Sequence, residues 1–151
     1  MTRTPSADAG VGSQRLIWSA LVANFLWINA SEVFRYFALI MPMMREAFPQ
    51  ISDVAPMNFT VFMIWGFWDT ILVLAATLLS WLIIERFGNT IAVAISAGTA
   101  IWLTVFVILW LGLFNMNLAT ASIVGVALPL AWFEMVVAAL LVRYFHSKPA
   151  A

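Results

Sequence analysis

Four long apolar stretches, separated by short polar ones, make up most of the chain: Leu16 to Met41, Phe59 to Ile84, Thr90 to Phe114 and Leu118 to Val142. Each exceeds the roughly 20 residues that a helix rising about 1.5 Å per residue needs to cross a hydrocarbon core of about 30 Å. Strand-like alternation is missing, and an open sheet in lipid would leave its edge groups without partners, so helices are expected. The pattern predicts an all-α polytopic membrane protein, a four-transmembrane-helix antiparallel bundle over residues 16–142. Residues 1–15, rich in Ser, Ala, Gly and Asp, are expected to form a mobile cytoplasmic tail, and residues 143–151 a second one. The first apolar stretch is not expected to be a signal peptide, being too long, carrying Glu32 and Arg35 and lacking a small-residue cleavage site.

Composition agrees with a place in lipid: 64% of residues are hydrophobic and 9% charged, against about 25% charged in a soluble domain. A length of 151 residues leaves room for one domain and no appended soluble module. Seven Lys+Arg balance seven Asp+Glu, so neither a nucleic-acid partner nor a polybasic lipid anchor is expected. Cysteine is absent, which excludes disulfides, thiolate metal sites and thiol nucleophiles. Arg3, Arg15, Arg86, Arg143 and Lys148 fall on one side of the predicted spans against Arg45 alone on the other. The positive-inside rule then makes both termini cytoplasmic, in a membrane expected to be the bacterial inner membrane.

Against this apolar background, Glu32, Arg35, Asp69 and Glu134 stand out. A charge near the bilayer centre costs roughly 2.5 to 3.5 kcal/mol on insertion scales, so such residues turn inward, pair or touch water. At about 100° per residue, Asn24, Asn29, Ser31, Glu32, Arg35 and Tyr36 share an arc of about 160° on the first helix, opposite Leu26, Ala30, Val33, Phe34 and Phe37. Glu32 and Arg35, three apart, can pair on the helix itself. Asp69 shares a side with Gly66, Val73, Ala76, Thr77 and Ser80. Glu32 and Asp69 both lie about 13 to 15 Å from the outer ends of their helices, and an Arg35 bridge between them is expected. Glu134, beside Ala127, Ala131 and Ala138, has no basic partner evident from sequence, which makes it the candidate proton carrier. A stripe of Ala92, Ser96, Ala100 and Thr104 is expected to pack the third helix against a neighbour. Five deep tryptophans, Trp27, Trp65, Trp68, Trp102 and Trp132, are expected to pack inside.

Between the first two spans, the Pro42 to Asn58 segment is expected to carry a short surface helix at the interface. Methionines 41, 43, 44, 57, 63 and 116 gather near this side without a regular motif on one face, so no metal site is expected. The only histidine, His146, lies beyond the fourth span, and phosphate-binding glycine loops and metal-ligand spacings are not found. No catalysis and no cofactor are therefore expected.

Two segments resemble pieces of transporters of the major facilitator type. Pro42-Met43-Met44-Arg45-Glu46-Ala47-Phe48 is similar to the segment after the first helix there, and Glu85-Arg86-Phe87-Gly88-Asn89 resembles the Asp-Arg-x-Gly-Arg motif between helices 2 and 3. The likeness covers about a dozen residues, Asn89 stands where that motif has a basic residue, and four helices stand against twelve. It implies a transporter-like helix pair, short of membership.

Two functions fit the sequence. One is proton- or cation-linked transport through a polar interior lined by Asn24, Asn29, Glu32, Arg35, Tyr36, Asp69 and Glu134. Four helices enclose little space, so such a protein is expected to be a homo-oligomer. The other is a non-catalytic accessory or assembly subunit of a larger membrane complex, its buried charges specifying helix pairing. Membrane lipid is a partner under both.

Overall fold

The computed structural model describes residues 7–149, with side chains from Gln14 onward; residues 1–6 and 150–151 of the expected tails lie outside the described residues. The chain is all-helical, without strands among the described residues. Four helical stretches, Gln14–Ala47, Phe59–Phe87, Ile91–Asn115 and Ala121–His146, are long and apolar enough to cross a membrane.

Helix α1 spans Ala7–Arg35, so residues 7–15, expected as tail, continue the helix. A π-helical turn over Tyr36–Ile40 leads directly into α2, Met41–Ala47. This corrects the expectation of a separate surface helix: α2 prolongs the first span. The widened turn, in which the Met41 N–H donates to Tyr36 O, precedes Pro42, which has no N–H to give to the carbonyl four residues back.

After the irregular segment 48–58, α3 spans Phe59–Phe87 and starts where the Asn58 side chain accepts the Val61 N–H at 3.0 Å. Thr90 caps α4, Ile91–Trp102, in the same way, and Thr120 caps α6, Ala121–His146. Each side chain meets an N–H that the first helical turn cannot satisfy itself. Helix α3 ends at Gly88, whose φ of 102° lies in the left-handed region that favours glycine. Between α4 and α5, Ile108–Asn115, a second π-helical turn covers Leu103–Val107.

Pairs of touching residues fix the helix directions. Asn24 meets Thr77, and Tyr36 lies against Trp65, so α1 and α3 run oppositely. Trp102 reaches Leu128 while Asn89 reaches Ser147, so α4 and α6 run oppositely. Ala20 clusters with Val142, and Ile40 with Ile123, which sets α1 against α6. The four helices thus alternate in direction around a core of Ile28, Leu72, Val73, Ile101, Phe106 and Met135 with small alanines between.

The backbones of α4 and α6 come into direct contact at Gly98. A Cβ there would sit 2.6 Å from the Met135 carbonyl oxygen and 2.7 Å from the Val136 Cα. Helix α4 buries Ala94, Ala97, Gly98 and Ile101 against α6, whereas Ala92, Ser96, Ala100 and Thr104 are exposed. The packing stripe expected on that second set is corrected accordingly. Both rows are small, but only the first contains a residue with no Cβ, and backbone contact selects it.

Gly98→Ala should destabilise the fold by about 1 to 3 kcal/mol through overpacking. Gly66→Ala, where a Cβ meets nothing within 4 Å, should be neutral or up to about 1 kcal/mol stabilising. Equilibrium unfolding of the two variants in detergent checks the contrast; equal effects would contradict the close approach.

Candidate functional site

Three helices bring their charged residues to one place near the middle of the bundle. Glu32 and Arg35, a turn apart on α1, form a buried ion pair. Arg35 Nη1 also donates to Glu134 Oε2 of α6 at 3.1 Å. The same oxygen accepts the Ser31 hydroxyl at 2.7 Å, and the neighbouring Trp27 indole donates to the Glu134 backbone carbonyl at 3.0 Å. Arg35 thus sits between an acid of its own helix and one 99 residues further on, with its guanidinium 5.1 Å from the Phe106 ring centre.

The partner expected for Arg35 was Asp69, and the second partner is Glu134 instead. Asp69 is buried on α3, but it joins neither ion pair. Its Oδ1 and the Oε1 of Glu134 have no hydrogen-bond partner among the described residues. The expectation that Glu134 lacks a basic partner is likewise corrected. Being unpaired in sequence reflected only the distance along the chain between α1 and α6.

The remaining candidates spread out from this centre. Asn24 is buried two turns toward the chain termini, where its side chain donates to the Thr77 hydroxyl at 3.0 Å. Asn29 does not join the cluster, because its amide donates to Phe25 O of its own helix at 2.8 Å. Tyr36 lies on the other side, its hydroxyl donating to Pro56 O at 3.3 Å.

Beside Tyr36 a cavity of about 350 Å³ opens between α1, α3 and α5, with Glu32 and Arg35 at its floor. Its walls include Trp65, Trp68, Phe106 and Trp110. From Val61 to Trp68 it follows seven residues of α3, a depth of about 10 Å. Both π-helical turns border it, through Tyr36 and Ile40 on one side and Phe106 on the other. On the opposite side of the charges the bundle closes over apolar Ile28, Val73, Met135 and Ala138. Sequence reasoning missed this cavity. The three-residue spacing of Trp65 and Trp68 just before Asp69 was its visible trace; of the two π turns only the first has a residue signal, Pro42 just after it.

Of the deep tryptophans, three act as donors across helix contacts. Besides Trp27, Trp102 donates to Leu128 O at 2.8 Å and Trp132 to the Thr99 hydroxyl at 3.1 Å. Trp27 and Trp102 bury much of an apolar ring while the N–H finds an acceptor, whereas Trp132 is 38% exposed, against the expectation that it packs inside. Trp65 and Trp68 line the cavity instead. No group of three or more His, Cys, Asp or Glu that could hold a metal ion occurs among the described residues.

No protein-family model, curated protein or solved structure matches the chain. The chemistry therefore rests on the cluster itself. With every acid ionised, Glu32, Asp69 and Glu134 around Arg35 carry an excess of two negative charges in a buried place. An uncompensated buried charge is costly, so the cluster favours uptake of protons or of a cation.

Removing the arginine leaves its partners without counter-charge, and Arg35→Gln should destabilise by about 3 to 5 kcal/mol. A double-mutant cycle of Arg35→Gln with Glu134→Gln should give a coupling of about 0.5 to 3 kcal/mol. The cycle with Asp69→Asn should give a smaller one. Unfolding equilibria in detergent measure both, and a larger coupling to Asp69 would contradict the pairing.

Proposed function

We propose that the chain is an integral membrane protein carrying out proton- or cation-linked transport, with Glu32, Arg35, Asp69 and Glu134 as its ion-handling centre. The observation that carries the reading is the burial of three acids near one arginine, with Glu32 and Arg35 of that group at the floor of a cavity open to one side. A purely structural pair would need one acid for one base. Here the acids outnumber the arginine and two of their oxygens have no partner among the described residues, a composition suited to exchanging protons or cations.

A place in the membrane is supported by the inversion of polarity. Charged and amide groups are buried, while Phe25, Phe34, Phe62, Phe67, Leu82 and Ile108 are exposed. In water such a surface would associate without limit, whereas acyl chains cover it at no cost. The alternating helix directions put Arg15, Arg86, Arg143 and Lys148 at one end, with Arg45 at the other. This favours cytoplasmic termini, and helical spans suit a bacterial inner membrane. The cavity then faces outward. A single bundle encloses no continuous route past Ile28 and Met135, so the reading takes the working unit to be a homo-oligomer.

Reconstitution into liposomes tests the proposal. Wild-type protein should carry protons or a monovalent cation down an imposed gradient, and Glu134→Gln should lower the flux at least tenfold while the purified variant stays monodisperse. Undiminished flux in Glu134→Gln, or no flux of any cation through wild type, overturns the reading. In the second case, co-purification of a constant larger complex after mild extraction would establish an accessory subunit instead.

A further inference from the structure

We propose that the cavity above Glu32 binds an amphiphilic organic cation: an apolar, preferably aromatic body carrying a single positive charge. This deepens the transport reading, on which it rests for its coupling to protons. The walls define the body of the ligand. Tyr36, Trp65, Trp68, Phe106 and Trp110 line a space of about 350 Å³, within the range of small-molecule pockets. An adjoining space of about 360 Å³ shares Tyr36, Ile40, Trp110 and Leu113. Aromatic faces attract a cation electrostatically and also pack against an apolar body, a combination that neither an inorganic ion nor a sugar can exploit.

The floor decides the sign of the charge. Arg35 is the cation there, and its guanidinium is already held by Glu32 and Glu134 and lies against Phe106. Its single positive charge is already matched by two carboxylates, so it leaves no net attraction for an anionic ligand. The surplus is carboxylate, with Asp69 buried nearby and outside both pairs. An anion would add to an existing excess of negative charge, and a cation would relieve it. The polar reach of the walls is small, since the Tyr36 hydroxyl already donates to Pro56 O. A richly hydroxylated ligand would lose its hydration without replacement.

The rim supplies the entry. Ile64, Trp68 and Leu109 are 64%, 41% and 40% exposed, and all three line the cavity. Under the membrane reading this side opening faces acyl chains, where amphiphilic cations concentrate. A cation arriving at Glu32 and a proton held by the cluster compensate the same negative charge. Entry of one monovalent cation therefore displaces one proton, and the total charge of the site is unchanged.

The full chain in detergent, titrated with tetraphenylphosphonium and with the nearly isosteric anion tetraphenylborate, tests the proposal by calorimetry and tryptophan fluorescence. Tetraphenylphosphonium should bind at least tenfold more tightly than tetraphenylborate. Trp65→Leu and Glu32→Gln should each weaken it at least tenfold, Trp65→Phe should keep most of it, and Trp132→Phe, away from the cavity, should leave it unchanged. Should Glu32→Gln fail to fold, Asp69→Asn, which breaks no ion pair, carries the same expectation. Equal binding of the two ions, or tetraphenylphosphonium binding indifferent to Trp65→Leu, overturns the proposal. So does absence of binding to wild-type protein; if that protein still moves ions in liposomes, the substrate class falls and the transport reading stands. Binding without any ion flux would sustain the site and remove its coupling.

Discussion

One guanidinium holds the first and last helices together. Arg35 extends one nitrogen to Glu32 on its own helix and another to Glu134 on α6, and no other side chain in the middle of the bundle could neutralise either acid. The geometry is restrictive in a way that apolar packing is not. A shift of α6 by one turn, about 5.4 Å, would carry Glu134 out of reach of Arg35, Ser31 and the Trp27 indole together. Alanines and valines could repack after such a shift, but a carboxylate stripped of its donors in an apolar core could not. The pair therefore fixes register, even though a buried ion pair adds little stability compared with apolar residues of the same size.

Other contacts depend on that register. With α6 fixed on α1, Gly98 of α4 meets the Met135 and Val136 backbone, one and two positions past Glu134. Trp102 and Trp132 then reach acceptors across the same α4–α6 seam. Helix α3 is held to α1 further along, through Asn24 and Thr77. A wedge remains toward the 48–58 segment, where α1, α3 and α5 frame the cavity. The two π-helical turns occupy its borders, each adding width to a helix where a tighter winding would turn Tyr36 or Phe106 away. Thr104 steadies the second of them, its hydroxyl directed to the Ala100 and Ile101 carbonyls at 2.9 and 3.1 Å.

How far the sequence could be read depended on what each residue demanded. Four helices follow from stretch length alone, and the burial of Asn24, Glu32, Arg35, Asp69 and Glu134 follows from the cost of facing them outward. Partner choice was another matter. The expected Arg35 bridge between Glu32 and Asp69 rested on depths counted from assumed helix ends and on leaving one surplus negative charge rather than two, yet α2 extends the first span to Ala47. Which acid turns toward Arg35 is set by the rotation of three helices about their axes, and no periodicity within one helix contains it. Asn29 shared the polar arc but satisfied itself on Phe25 O, an escape open to a short amide on any helix. For α4, two rows of small residues competed, and the row containing Gly98 won because backbone contact needs the missing Cβ.

On the side of the charge cluster away from the cavity the bundle is polar again, but not continuously with the cluster. Beyond Ile28, Val73 and Met135, polar groups resume with Asn24, Thr77 and Ser80, of which the Asn24 Oδ1 and the Ser80 Oγ have no partner among the described residues. Eight residues of α1, about 12 Å, separate Asn24 from Glu32, and the buried side chains of the layer between them are apolar. For a cluster in this position to exchange with both ends of the bundle, that layer has to part while the cavity narrows. The Arg35 pairs set which helices can take part. Helices α1 and α6 are tied at the cluster itself, so motion there would expose the charges to their own apolar surroundings. Between α1 and α3 the only side-chain hydrogen bond among the described residues is that of Asn24 with Thr77, the rest being apolar and aromatic packing, and α5 follows α4 through a widened turn. An opening on the far side that leaves both ion pairs intact therefore involves α3, carrying Asp69, the one acid of the three that Arg35 does not hold.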